Sequence, residues 1–251
     1  PINGLKKFKL VTAQEMDYFN IFLNHIGKKF SLIAEDTGDI VSVNSRGQIR
    51  DFFQYEIFDE HYLNSNYKIV NPTIIRRNTF YDGININEWH SSDLDKISYN
   101  IDSDFISKKD YNFWKIFNEN PEISQYDESY MGSFFSLIQL FGHPHQITGN
   151  NDKWVISNNK IYPVYRNEGN IIPVFAQDIK KNLVFENYYY SSSLEPYKRI
   201  LSNKNVMNFR NLAFKKIIDN KEAIIKDLDS IYLTHEKTHM IYNKHFLKLK
   251  F

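Results

Sequence analysis

An α+β fold is what this sequence predicts, and three observations carry the expectation. Short runs of β-branched and aromatic residues, separated by turn signals, fill much of residues 1–78. An apolar helical segment followed by a tight hairpin occupies the middle, and everything from Glu195 onward has helical spacing. Hydrophobic residues make up 42% of the 251 positions and aromatic residues 16%, enough for a substantial packed core. The 31 basic and 30 acidic residues leave a net charge of +1, which excludes an electrostatic case for nucleic acid or an anionic membrane as the main partner. With no cysteine there are neither disulfides nor thiolate metal ligands, a composition that suits a reducing compartment and is compatible with export. No apolar run approaches the roughly 18 residues of a membrane span. The opening PINGLKKFKL lacks the apolar segment of a signal peptide, and a start at Pro1 reads as that of a fragment, so localisation stays open.

Taken in order, FKL (8–10) reads as a strand, and AQEMDYFNIFLNHIG (13–27) puts Met16, Phe19, Phe22 and Leu23 on one helical side with Gly27 as the stop. Three β-like runs follow, KKFSLIAE (28–35), DIVSV (39–43) and QIRDFFQYEIF (48–58), divided by the turn sequences DTGD and NSRG. NPTIIRRN (71–78) reads as a further strand, and 81–107 as a long polar loop or insertion. KKDYNFWKIFNEN (108–120) and DESYMGSFFSLIQLFG (127–142) read as helices, the second apolar enough for the core. KWVISNNKIYPVY (153–165) is a hairpin turning at Asn158-Asn159, and the C-terminal helices break near Asn203 and Asn220.

A small helix-plus-strand region, a connector, a core helix, a loop, a hairpin and then helices is the order of a protein-kinase-like two-lobed fold. The expected division is a small N-terminal lobe at 1–78 and a mostly helical C-terminal lobe at 79–251. In such a fold the loop after the core helix carries catalytic residues, and the hairpin after it delivers a metal-binding acid.

Six segments in sequence order sharpen this: FKL (8–10), IFLNHIG (21–27), FFQYE (52–56), FGHPHQITGNN (141–151), YPVYRNEGN (162–170) and NVMNFRNLAFKKII (205–218). Together they resemble the CotH family, kinase-like proteins first associated with spore coats. The resemblance implies ATP and Mg²⁺ as ligands and phosphoryl transfer to a protein or surface component. It implies Lys9 as the phosphate contact. The family's helix acid falls at Asn20, so Glu15 or Asp17 would have to pair with that lysine. Asn151 matches the family asparagine that offers a carbonyl oxygen to the metal. Asn150 occupies the catalytic position where relatives carry Asp or His; an amide accepts no proton at neutral pH, so His145 or its neighbour His143 becomes the candidate base. The second metal position falls at Asn167, or at Glu168 if one residue is inserted before Gly169, and Glu168 suits Mg²⁺ through oxygen. Arg76-Arg77 sits where relatives carry an Arg-Glu pair. The departures at Asn150 and Asn167 leave two readings open, an atypical kinase and a binding-only pseudokinase.

A different chemistry is spelled by LTHEKTHMIYNKHF (233–246). On a helix His235 and His239 share a face and would reach one Zn²⁺, with Glu236 as general base and His245 as third ligand. Against a zinc hydrolase, Tyr242 stands where the turn glycine of such sites belongs, only six residues follow His245, and the preceding segment is patterned as a peripheral amphipathic helix. The expectation is that HEKTH binds no stoichiometric zinc. The zinc hydrolase and a non-catalytic structural or interaction protein stand as the alternatives to the kinase reading.

Overall fold

In the computed structural model, residues 8–12, 17–35, 37–76, 108–141, 153–165 and 195–236 are described. The order of elements is β1 (Phe8–Thr12), α1 (Asp17–Lys29), β2 (Thr37–Ser45), β3 (Gln48–Glu56), α2 (Glu60–Tyr67), β4 (Thr73–Arg76), α3 (Lys108–Glu119), α4 (Glu128–Phe141), β5 (Lys153–Ser157), β6 (Lys160–Pro163), α5 (Glu195–Leu201), α6 (Lys204–Asp219) and α7 (Lys221–Glu236). The class is α+β, with the strands in two three-stranded sheets ordered β1-β3-β2 and β4-β5-β6.

In the first sheet β1 and β2 both run antiparallel to β3, which lies between them, so β1-α1-β2 is a crossover split by an inserted strand. The β2–β3 hairpin turns at Arg46 and Gly47, both with positive φ, the backbone that matches the twist of paired strands.

The second sheet is the structural centre. Side chains alternate along β5: Trp154 and Ile156, with Ile75 and Ile161, enter the large core, while Val155 and Ile74 enter a smaller one with Phe58, Tyr62 and Leu63. Two cores, one on each face, explain why all five residues of β5 are buried. The large core is built from α1, α3, α4, α5 and α6. Trp114 meets Trp154 edge-on with ring centroids 5.5 Å apart, and the Trp154 indole donates to the Tyr197 hydroxyl at 3.1 Å.

Two glycines let elements approach. A Cβ at Gly27 of α1 would lie 2.5 Å from Cδ1 of Tyr165, and one at Gly132 of α4 would lie 2.5 Å from the Phe209 Cβ and 2.7 Å from the Arg210 backbone nitrogen. The first corrects the reading of α1. Gly27 is a packing glycine inside the helix, which runs on to Lys29 because Ile26 and Phe30 extend its apolar face. KKFSLIAE is therefore not a strand: Ser31 (φ 60) ends the helical turn, and Ala34 makes an isolated parallel bridge to Tyr165. Helix α2 had no counterpart in the sequence reading. Its N-cap is Asp59, whose carboxylate accepts from the Tyr62 N–H at 2.9 Å, and Lys68 (φ 59) closes it. The hairpin at Asn158-Asn159, both with positive φ, forms as expected. So do the helix breaks, with Asn203 capping the start of α6 and Asn220 its end. The loop expected at 81–107 lies outside the described residues.

Candidate functional site

One end of the second sheet places a pair of opposite charges inside the protein. Lys153 opens β5, with Arg76 of β4 opposite it on one side and the Val164 N–H donating to its carbonyl at 2.8 Å on the other. Its side chain follows Val155 to the face of the smaller core, where the ammonium lies 4.6 Å from the centroid of the Phe58 ring. There it meets the carboxylate of Glu35 at 2.8 Å, the two side chains being 7% and 14% exposed. An ammonium removed from water to that degree demands a counter-charge, so the pair is an obligatory unit at this end of the sheet.

Glu35 ends the segment 32–35 between α1 and β2, and tyrosines fix that segment. The Tyr67 hydroxyl accepts from the Ala34 N–H at 2.8 Å and donates to the Ala34 carbonyl at 3.0 Å; the Tyr62 hydroxyl donates to the same carbonyl at 2.5 Å. From α4, the Tyr130 hydroxyl accepts from the Ile33 N–H at 3.1 Å and donates to the Pro163 carbonyl at 2.7 Å. Burial holds the Tyr130 hydroxyl well above the ordinary tyrosine range, so it stays a donor at any physiological pH. The Tyr165 N–H donates to the Ile33 carbonyl at 2.7 Å, which binds the end of the hairpin to the same segment. Tyr165 itself is fully buried, its hydroxyl pKa pushed up by desolvation, and that hydroxyl has no partner among the described residues.

Of the residues singled out in the sequence, Lys9 lies on β1 opposite Tyr55, and Asp17 and Asn20 lie in the first turn of α1. Arg76 lies on β4, while Arg77 lies outside the described residues. Glu15, His143, His145, Asn150, Asn151, Asn167 and Glu168 also lie outside them. His235 and Glu236 close α7, and His239 and His245 fall beyond the description. The candidates whose positions are described thus lie on four elements, β1, α1, β4 and α7. Among the described residues no group of three His, Asp or Glu side chains is placed to hold a metal ion. Among them, too, no helix is long and apolar enough to cross a membrane.

The sequence reading missed Lys153 and Glu35. The available signal was a charge at the end of an otherwise apolar run in each case, KWVIS and LIAE. Comparison with protein-family models and with curated proteins finds no match to this chain.

Proposed function

We propose that this chain is a CotH-like, kinase-related protein that binds ATP with Mg²⁺ and directs a phosphoryl group to a protein or surface component. The observation that carries the reading is the attachment of the two candidate segments. Asn151 lies two residues before Lys153, and Asn167 lies two residues after Tyr165. The Lys153 carbonyl accepts from Val164, next to Tyr165, and Lys153 and Tyr165 are both tied to the segment 33–35. The order core helix α4, intervening segment, hairpin β5–β6 and then helices is also what the kinase-like reading requires.

On this reading Lys9 neutralises phosphate charge, and the Asn151 amide oxygen and the Glu168 carboxylate hold the metal, an all-oxygen donor set that suits Mg²⁺. With Asn150 unable to take a proton, His145 serves as the base toward an acceptor hydroxyl. The Lys153–Glu35 pair fixes the strand from which the Asn151 segment departs and is a positioning device.

Calorimetric titration with ATP, with and without Mg²⁺, tests this. The expected result is ATP binding strengthened by Mg²⁺, with that dependence lost in Glu168→Gln. Binding indifferent to Mg²⁺ would place the protein among pseudokinases, and no binding would sink the reading in favour of an interaction protein.

A further inference from the structure

Arg210 of α6 is a second buried cation, and it has no carboxylate partner among the described residues. It is 7% exposed, faces α4, and sits where Gly132 lets the two helices close together. Its Nη1 donates to the Gln139 Oε1 at 3.3 Å, its Nε and Nη2 share the Asn211 Oδ1 at 3.3 and 3.1 Å, and its guanidinium carbon lies 5.7 Å from the centroid of the Phe214 ring. These partners are all neutral. A guanidinium offers five N–H groups, and the bonds to Gln139 and Asn211 use three of them. Gln139 is 2% exposed and, with its oxygen turned to Arg210, its amide nitrogen has no acceptor among the described residues.

Among the described residues the place is thus rich in donors and poor in acceptors, with a full positive charge. Gln139 lies in the last turn of α4, which stops at Phe141, and the partial negative charge of a helix C-terminus favours a cation there. Partial charge and neutral amides do not neutralise a buried guanidinium. Burial alone already lowers the Arg210 pKa from its ordinary value.

We propose that Arg210 and Gln139 form an oxyanion-binding site between α4 and α6, which takes a phosphate or carboxylate group of a small ligand. The guanidinium and the unpartnered amide NH₂ of Gln139 are both donors, and such an oxyanion has the acceptor oxygens to meet them. The site rests on α4 and α6 alone and is independent of the kinase reading.

The test is melting temperature and calorimetric titration of the whole chain in chloride buffer of fixed ionic strength. Inorganic phosphate and acetate are added separately at low millimolar concentration, below the range where general salt exclusion stabilises proteins. Phosphate or acetate is expected to bind and raise the melting temperature. Arg210→Met is expected to weaken that binding about tenfold or more, as loss of charge-assisted hydrogen bonds does. Gln139→Leu, which keeps the cation, is expected to weaken it less. In buffer without phosphate or acetate, Arg210→Met should melt no lower than the parent protein, because it removes a buried charge that has no carboxylate partner among the described residues. Absence of any response to either anion in the parent protein overturns the proposal. So does Arg210→Met melting many degrees lower in plain buffer, since that would mean the guanidinium is neutralised within the chain.

Discussion

The two sheets have the same number of strands and opposite circumstances. In β4-β5-β6 the central strand is buried along its whole length, with a core on each face. In β1-β3-β2, Gln54 is the one buried side chain among those described, while Leu10 and Ile49 are 43% and 71% exposed. The difference teaches where stability resides. The second sheet is held by helices α1 to α6, whereas the described side chains of the first, Gln54 apart, are exposed or half-buried. A site that must keep its geometry through a reaction gains from attachment to the former, because precision comes from rigid, well-packed support. The candidate segments at 142–152 and 166–170 adjoin β5 and β6.

The largest expected effect tests that anchorage at its charged end. Glu35→Leu leaves the Lys153 ammonium buried over Phe58 without the carboxylate now 2.8 Å away. The expected cost is about 3–5 kcal/mol in urea unfolding, the range for a buried pair deprived of one partner. Lys153→Met added to it should recover most of the loss, since apolar replacement of both partners is close to neutral. A single-variant cost below about 1 kcal/mol, the figure for an exposed pair, would erase the contrast between the sheets at this end.

A smaller effect separates the helical body from both sheets. Asp227 of α7 accepts from the Lys29 ammonium of α1 and lies 3.5 Å from the His25 imidazole. The Lys29 hydrogen bond, helped by the Lys29 charge and the His25 contact, holds the Asp227 carboxyl below its ordinary value against the opposing effect of burial. A carboxyl lowered in the folded state adds stability above its unfolded pKa, roughly 3.9, and loses it as pH falls through the lower folded value. Asp227→Asn should therefore cost stability near neutrality and flatten the acid limb of the unfolding curve. Both groups are partly exposed and screened, so the expected change is within about 1 kcal/mol. An acid limb of unchanged slope would show that the α1–α7 contact adds nothing in solution.

The fold was legible where local chemistry determined it. Asn158-Asn159 sits at a turn that needs two residues of positive φ, and Asn203 and Asn220 occupy helix ends where side-chain amides cap the backbone. It was illegible where a tertiary contact reversed a local signal. Gly27 reads as a helix stop, but the Tyr165 ring, far along the chain, needs the space that its missing side chain leaves. Helix α2 was hidden because Asp59 and Glu60 open it within a mostly polar stretch, with Tyr62 and Leu63 as its buried residues. The Lys153–Glu35 pair joins residues that no spacing rule connects. Of the proposed site, Lys9 had its strand recognised, while its relation to Asn151 and Glu168 depends on segments outside the described residues.

The smallest expected effect closes the comparison between the sheets. Ile49 on β3 stands opposite Asn44 and is 71% exposed, so it has little apolar contact to lose. Threonine keeps the β-branch that suits a strand, and Ile49→Thr is expected to change unfolding free energy by no more than about 0.5 kcal/mol. Ile156 on β5 is the matched control, at 5% exposure with its side chain in the large core. There the same substitution removes buried methylene and places a hydroxyl among apolar neighbours, with an expected cost of roughly 2–3 kcal/mol. The chemical change is identical, so the gap between the variants measures how differently the sheets are anchored. Equal costs, measured by urea unfolding under one set of conditions, would mean that the first sheet belongs to the cooperative core after all.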